Sequence, residues 1–137
     1  MSDNPTWSDS LPWQHMLERA QTNGFLGKVL YVVHTSPTDG LAPIQANIKE
    51  HLAYQRMLED TGVMFAAGPV ADDSGDSWSG EGMVVIRADS LEQAQAIAAA
   101  DPMHASGARS CRVRPWIVNE GMVTVKVGFA SGTREVI

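Results

Sequence analysis

The sequence has one cysteine, Cys111, among 137 residues, so no disulfide can form within the chain. No apolar run approaches the ~18 residues that span a bilayer, which argues against a membrane helix. Basic side chains are the minority, 10 against 16 acidic ones, and the formal charge of -6 repels phosphate backbones. General nucleic-acid binding is therefore not expected. The glycines have neither Gly-x-Gly-x-x-Gly nor Walker spacing, so no nucleotide cradle is expected. His15, His34, His51 and His104 are scattered, with no helix-spaced pair and no cysteine partner pattern. Asp72, Ser74 and Asp76 start like a calcium loop, but Ser77 stands where glycine is needed and Met83 where glutamate is needed. No metal site is expected. The first residues lack the basic flank and apolar run of a signal peptide, so the expected location is cytoplasmic.

What is present suits one domain with a real core, at 44% apolar and 19% charged residues. A short amphipathic helix from near Asp9 or Ser10 carries Trp13, Met16, Leu17 and Ala20 on one stripe and stops at Asn23-Gly24. It covers either its own domain or an oligomer interface. Lys28 to His34 is β-branched and aromatic and reads as a strand buried on both faces. A helix from about Pro43 to Asp60 follows, with Ile44, Ile48, Leu52 and Leu58 inward. His51 lies about 20° from Ile44 on that stripe and points inward.

Val63 to Val70 and Gly82 to Ala88 read as strands flanking a flexible Ser/Gly/Asp loop at 71–81. Ser90 and Gln93 form a capping box for a helix that Asp101-Pro102 ends. Ala108 to Val118 and the alternating Gly121 to Phe129 complete the strands, with a loose tail from Ala130. Three segments follow: a helical extension at 1–27, a domain at 28–118, and an extra strand and tail at 119–137.

The element order predicts an α+β domain: a ferredoxin-like β-α-β-β-α-β antiparallel sheet with an N-terminal helix and an extra C-terminal strand. Helices can cover only one sheet face. Strands apolar on both faces therefore predict a homodimer or higher homo-oligomer packed sheet to sheet.

In this topology the two main helices lie side by side, so an inward His51 can meet Asp101 at the end of the second. A carboxylate there would set the imidazole tautomer and form an acid–base pair; a buried structural hydrogen bond is the alternative. Arg109, Arg112 and Arg114 crowd one strand, with Arg112 and Arg114 on the side of Trp116 and Arg109 on the other. They are either solvated or hold an anion. Tyr54 and His34 can reach the pocket mouth, and Cys111 is expected to pack in the core.

The run His51-Leu52-Ala53-Tyr54, then Gly62, Ala67-Gly68-Pro69, Asp101-Pro102, Gly107 and Arg114-Pro115-Trp116, resembles the YciI-like (YCII-related) family over about residues 28 to 118. The resemblance implies a dimeric ferredoxin-like α/β barrel, with the family's histidine and aspartate falling on His51 and Asp101. Arg114, inside the matched Arg-Pro-Trp element, is favoured as the anion holder. One group in the family removes chloride from a chlorinated hydroxyhydroquinone without a metal or organic cofactor. The expected activity is thus a cofactor-independent isomerase, lyase or dehalogenase type acting on a small anionic, aromatic or enolic substrate. His51 and Asp101 would be catalytic, and Arg114, Tyr54, His34 and Trp116 would bind the substrate. The alternative is a non-catalytic small-metabolite-binding or accessory module.

Overall fold

The structure is a computed structural model that describes Trp7 and residues 9–137; the rest of the polar N-terminal lead lies outside the described residues. Two compact units are distinguished, residues 29–117 and a second made of the described residues up to 28 with 118–137.

The larger unit is built on strands β1 (Lys28–Pro37), β2 (Met64–Pro69), β3 (Gly82–Ile86) and β4 (Arg109–Val118) in the order β2-β3-β1-β4. β3 is antiparallel to both β1 and β2. Helix α2 (Ala42–Asp60) links β1 to β2, and α3 (Leu91–Ala99) with a four-residue α4 (Pro102–Ala105) links β3 to β4. This is the ferredoxin-like arrangement expected from the sequence. Tyr31 and Val33 of β1 and Ile86 of β3 pack against Ala94 and Ala98 of α3, which places the main core between sheet and helices. Ser90 caps α3 by accepting from the Gln93 N–H, as the capping-box spacing predicts.

Asp101-Pro102 ends one helix and also starts another. Asp101 is extended, caps α4 and precedes a proline, which suits a first helical turn because no N–H is needed there. Met103 of α4 is fully buried against Ile44 of α2 and Ala108, so the short helix is anchored to the long one. The Thr38 hydroxyl donates to the Gly107 carbonyl at 2.6 Å and ties the end of β1 to the approach to β4.

Gly80, at the end of the loop after β2, has φ +104°, and a Cβ there would lie 2.8 Å from Ile44 Cδ1. Both the backbone conformation and the space demand glycine. Gly80→Ala is expected to cost about 2–3 kcal/mol and to lower Tm by roughly 5–10 °C in calorimetry.

Two expectations change. Ile48 and Leu52 are exposed instead of filling the core, because their side of α2 borders an open cleft. Cys111 is exposed, since β4 is a sheet edge.

In the smaller unit, α1 (Trp13–Thr22) starts later than the sequence suggests and ends at Asn23 before Gly24. The extra C-terminal strand is β5 (Val125–Val127), which pairs with β6 (Arg134–Val136) in a separate two-stranded sheet. The tail expected to be loose supplies β6, because Gly128 and Gly132 let the chain reverse and bring Val136 opposite Val125. No helix among the described residues is long and apolar enough to cross a membrane.

Candidate functional site

An open cleft of about 1300 Å³ lies within the larger unit, bordered by α2, β2 and the 71–81 loop. His51 projects into it from the middle of α2, two turns beyond the Ile44 anchor. Its Nδ1 is 2.9 Å from both carboxylate oxygens of Asp101. The side chains are 12% and 5% exposed, so the contact is shielded from water. A carboxylate can only accept, so Nδ1 donates. Nε2 of the neutral ring is then a lone-pair acceptor, and it makes no hydrogen bond among the described residues.

Three donors converge on Asp101: His51, the Met103 N–H at 2.9 Å and Gln55 Nε2 at 3.0 Å. Burial opposes its ionisation, but the His51 hydrogen bond, the Met103 N–H, the His51 charge and Gln55 outweigh it and hold the carboxyl below its usual pKa. Asp101 is thus a fixed anion that sets both the tautomer and the orientation of His51. Gln55, one turn after His51, is a supporting residue that the sequence reading missed.

Thr35 lines the same cleft, and its hydroxyl is 3.0 Å from His104 Nε2. His104 Nδ1 is 2.6 Å from the Ala98 carbonyl and must donate there, so Nε2 of the neutral ring accepts from Thr35. The structural contact fixes α4 against α3 and β1.

The remaining expected site residues lie elsewhere. Tyr54 donates to the Ile97 carbonyl at 2.7 Å and does not line the cleft, so its hydroxyl joins α2 to α3. Burial, followed by the Asp101 charge, raises its pKa. His34 and Arg114 meet at 3.2 Å on the sheet face opposite α3, the side that also carries Trp116. The guanidinium only donates, so His34 Nε2 accepts; burial first, then Arg114 and Arg112, lower the His34 pKa. Arg114, favoured as the anion holder near His51, is separated from it by the sheet.

Two arginines line the His51 cleft: Arg56, exposed and paired with Glu59 and Asp60, and the buried Arg109. Strand alternation carried the signal, since it places Arg109 on the side of Val113, which packs against the core. Among the described residues, no three histidine, cysteine, aspartate or glutamate side chains converge as metal ligands.

Comparison with solved structures finds 5-chloro-2-hydroxyhydroquinone dehydrochlorinase from Burkholderia phenoliruptrix AC1100, in complex with 2,5-dihydroxybenzoquinone. The similarity is at 17% identity and TM-score 0.48, covering 64% of this chain and 92% of that one. No curated protein sequence matches significantly. The YCII-related domain matches residues 29–117, spanning β1 to β4 and including His51 and Asp101. The chain belongs to the YCII-related domain family.

Proposed function

We propose that the protein is a small enzyme that transfers a proton to or from a small substrate bound in the cleft, with His51 as acid–base and Asp101 orienting it. The observation that supports this reading most is a histidine Nε2 that has no hydrogen-bond partner among the described residues while its Nδ1–H is engaged by a buried carboxylate. That arrangement leaves one nitrogen able to take up a proton and hold it beside a fixed anion. Isomerisation, elimination and dehalogenation of aromatic or enolic compounds share such a step, which needs no organic cofactor.

A second reading draws on the hydrogen bonds of Asp101 to Met103 and Gln55. These give the carboxylate a structural role whether or not His51 reacts, as in a metabolite-binding or accessory module. The two separate in a screen of small aromatic and enolic acids by thermal shift, followed by proton NMR of each hit in D₂O. Enzyme-dependent loss of a carbon-bound proton signal supports catalysis. Ligands that bind and neither exchange nor react favour the accessory reading.

The family resemblance also leads us to propose a homodimer. It would cover Met83 and Trp116, which are 40% and 42% exposed. Light scattering is expected to give twice the chain mass; a monomer at micromolar concentration would sink the dimer.

A further inference from the structure

Arg109 opens β4 and is only 7% exposed. Its Nε donates to the Gly80 carbonyl at 3.0 Å, and its guanidinium carbon lies 6.0 Å from the Trp78 ring centroid. The ion pairs among the described residues join His51 to Asp101 and Arg56 to Glu59 and Asp60; none includes Arg109. Its two terminal nitrogens make no hydrogen bond to the described residues. Burying a cation without a counter-ion is costly, and arginine does not relieve the cost by losing its proton. Asp101 contributes at longer range, where its charge partly offsets the effect of burial on Arg109. A side chain so placed has a vacant planar fork of N–H donors lining the cleft that holds His51.

We propose that Arg109 is the anion-binding residue of this cleft and that it restricts ligands to small carboxylates, phenolates or enolates, held by its terminal nitrogens while His51 Nε2 faces the same cavity. The inference rests on reading the cleft as a substrate site and adds the charge class of the substrate. Gly80 and Trp78 orient the fork. The carbonyl of Gly80 fixes Nε, and the indole ring faces the guanidinium.

The test compares 4-hydroxybenzoate with its neutral analogue 4-hydroxybenzamide by NMR titration of the wild type, Arg109→Met, Arg109→Lys and His51→Gln. The wild type is expected to bind the benzoate at least tenfold more tightly than the benzamide, with shifts at the Arg109 Nε–H and Trp78 indole resonances. Arg109→Met should lose at least tenfold in benzoate affinity, and Arg109→Lys should recover part of it. No benzoate binding by the wild type, equal affinity for the amide, or unshifted Arg109 and Trp78 resonances would overturn the proposal. The resonance readout uses the wild type alone, so misfolding of a variant cannot mask the answer. Benzoate binding at Arg109 without proton exchange in any ligand would leave this subsite standing and remove the catalytic reading. Exchange that is unaffected in a folded Arg109→Met protein would do the reverse.

Discussion

His51→Gln is expected to slow proton exchange at the carbon of a cleft ligand by about 10²–10⁴-fold, while the fold and ligand affinity are kept. The glutamine amide can still donate to Asp101, so the buried carboxylate keeps a partner. What disappears is Nε2, the nitrogen with no other hydrogen bond among the described residues. The measurement is ligand exchange in D₂O beside a melting curve. Exchange that persists in a folded variant removes His51 from the chemistry. A lower Tm with exchange intact identifies the pair as a structural hydrogen bond.

Asp101 is expected to give the largest effects, and its two substitutions should separate stability from chemistry. Asp101→Ala leaves His51, the Met103 N–H and Gln55 without their shared acceptor. Loss of the α4 cap and of the buried partner should cost about 3–5 kcal/mol, read as a Tm fall of 10 °C or roughly more. Asp101→Asn keeps the shape but turns one acceptor into an N–H donor. His51 Nδ1, equidistant from both oxygens, then faces a donor as well as an acceptor, so the tautomer with its lone pair on Nε2 is no longer enforced and the negative charge beside the ring is lost. Exchange should fall by about 10²–10⁴-fold with a much smaller change in Tm. Wild-type exchange rates in a folded Asp101→Asn protein would show that the carboxylate does not set the tautomer.

The same carboxyl predicts an acid limb in stability. Its folded pKa lies below the unfolded value of about 3.9. The unfolded chain therefore takes up a proton first as pH falls. The stabilisation is complete above the unfolded pKa and is lost as pH drops through the lowered folded one. Denaturant titrations across that acid window should show wild-type stability declining more steeply than that of Asp101→Asn; equal slopes would contradict the assignment.

Much of this was legible from local pattern. The β-branched run from Lys28 and the apolar run from Gly82 became neighbouring strands, and Ser90 with Gln93 capped a helix as their spacing required. His51 faced inward because helical periodicity put it beside Ile44. It met Asp101 because the topology packs the two helical segments side by side. Asp101-Pro102 was read only as a stop, although an aspartate before proline is equally a start signal. Deciding between stop and start required Met103 to find its buried place against Ile44 and Ala108.

The arginines mark the boundary between the two kinds of information. Sequence alone determined the β-α-β-β-α-β order of the main elements, the inward histidine and the division of Arg109 from Arg114 and Trp116 by strand alternation. Each follows from short-range geometry, because helical and strand periods fix the relative direction of side chains along one element. Only the tertiary structure decided which side of the sheet faces the cleft. It placed Arg109 beside that cavity and Arg114 against His34 on the far face, and it took the Tyr54 hydroxyl for the Ile97 carbonyl. Those outcomes depend on contacts between residues far apart in the chain. Periodicity says which residues share a face, but packing of the whole core decides what that face meets.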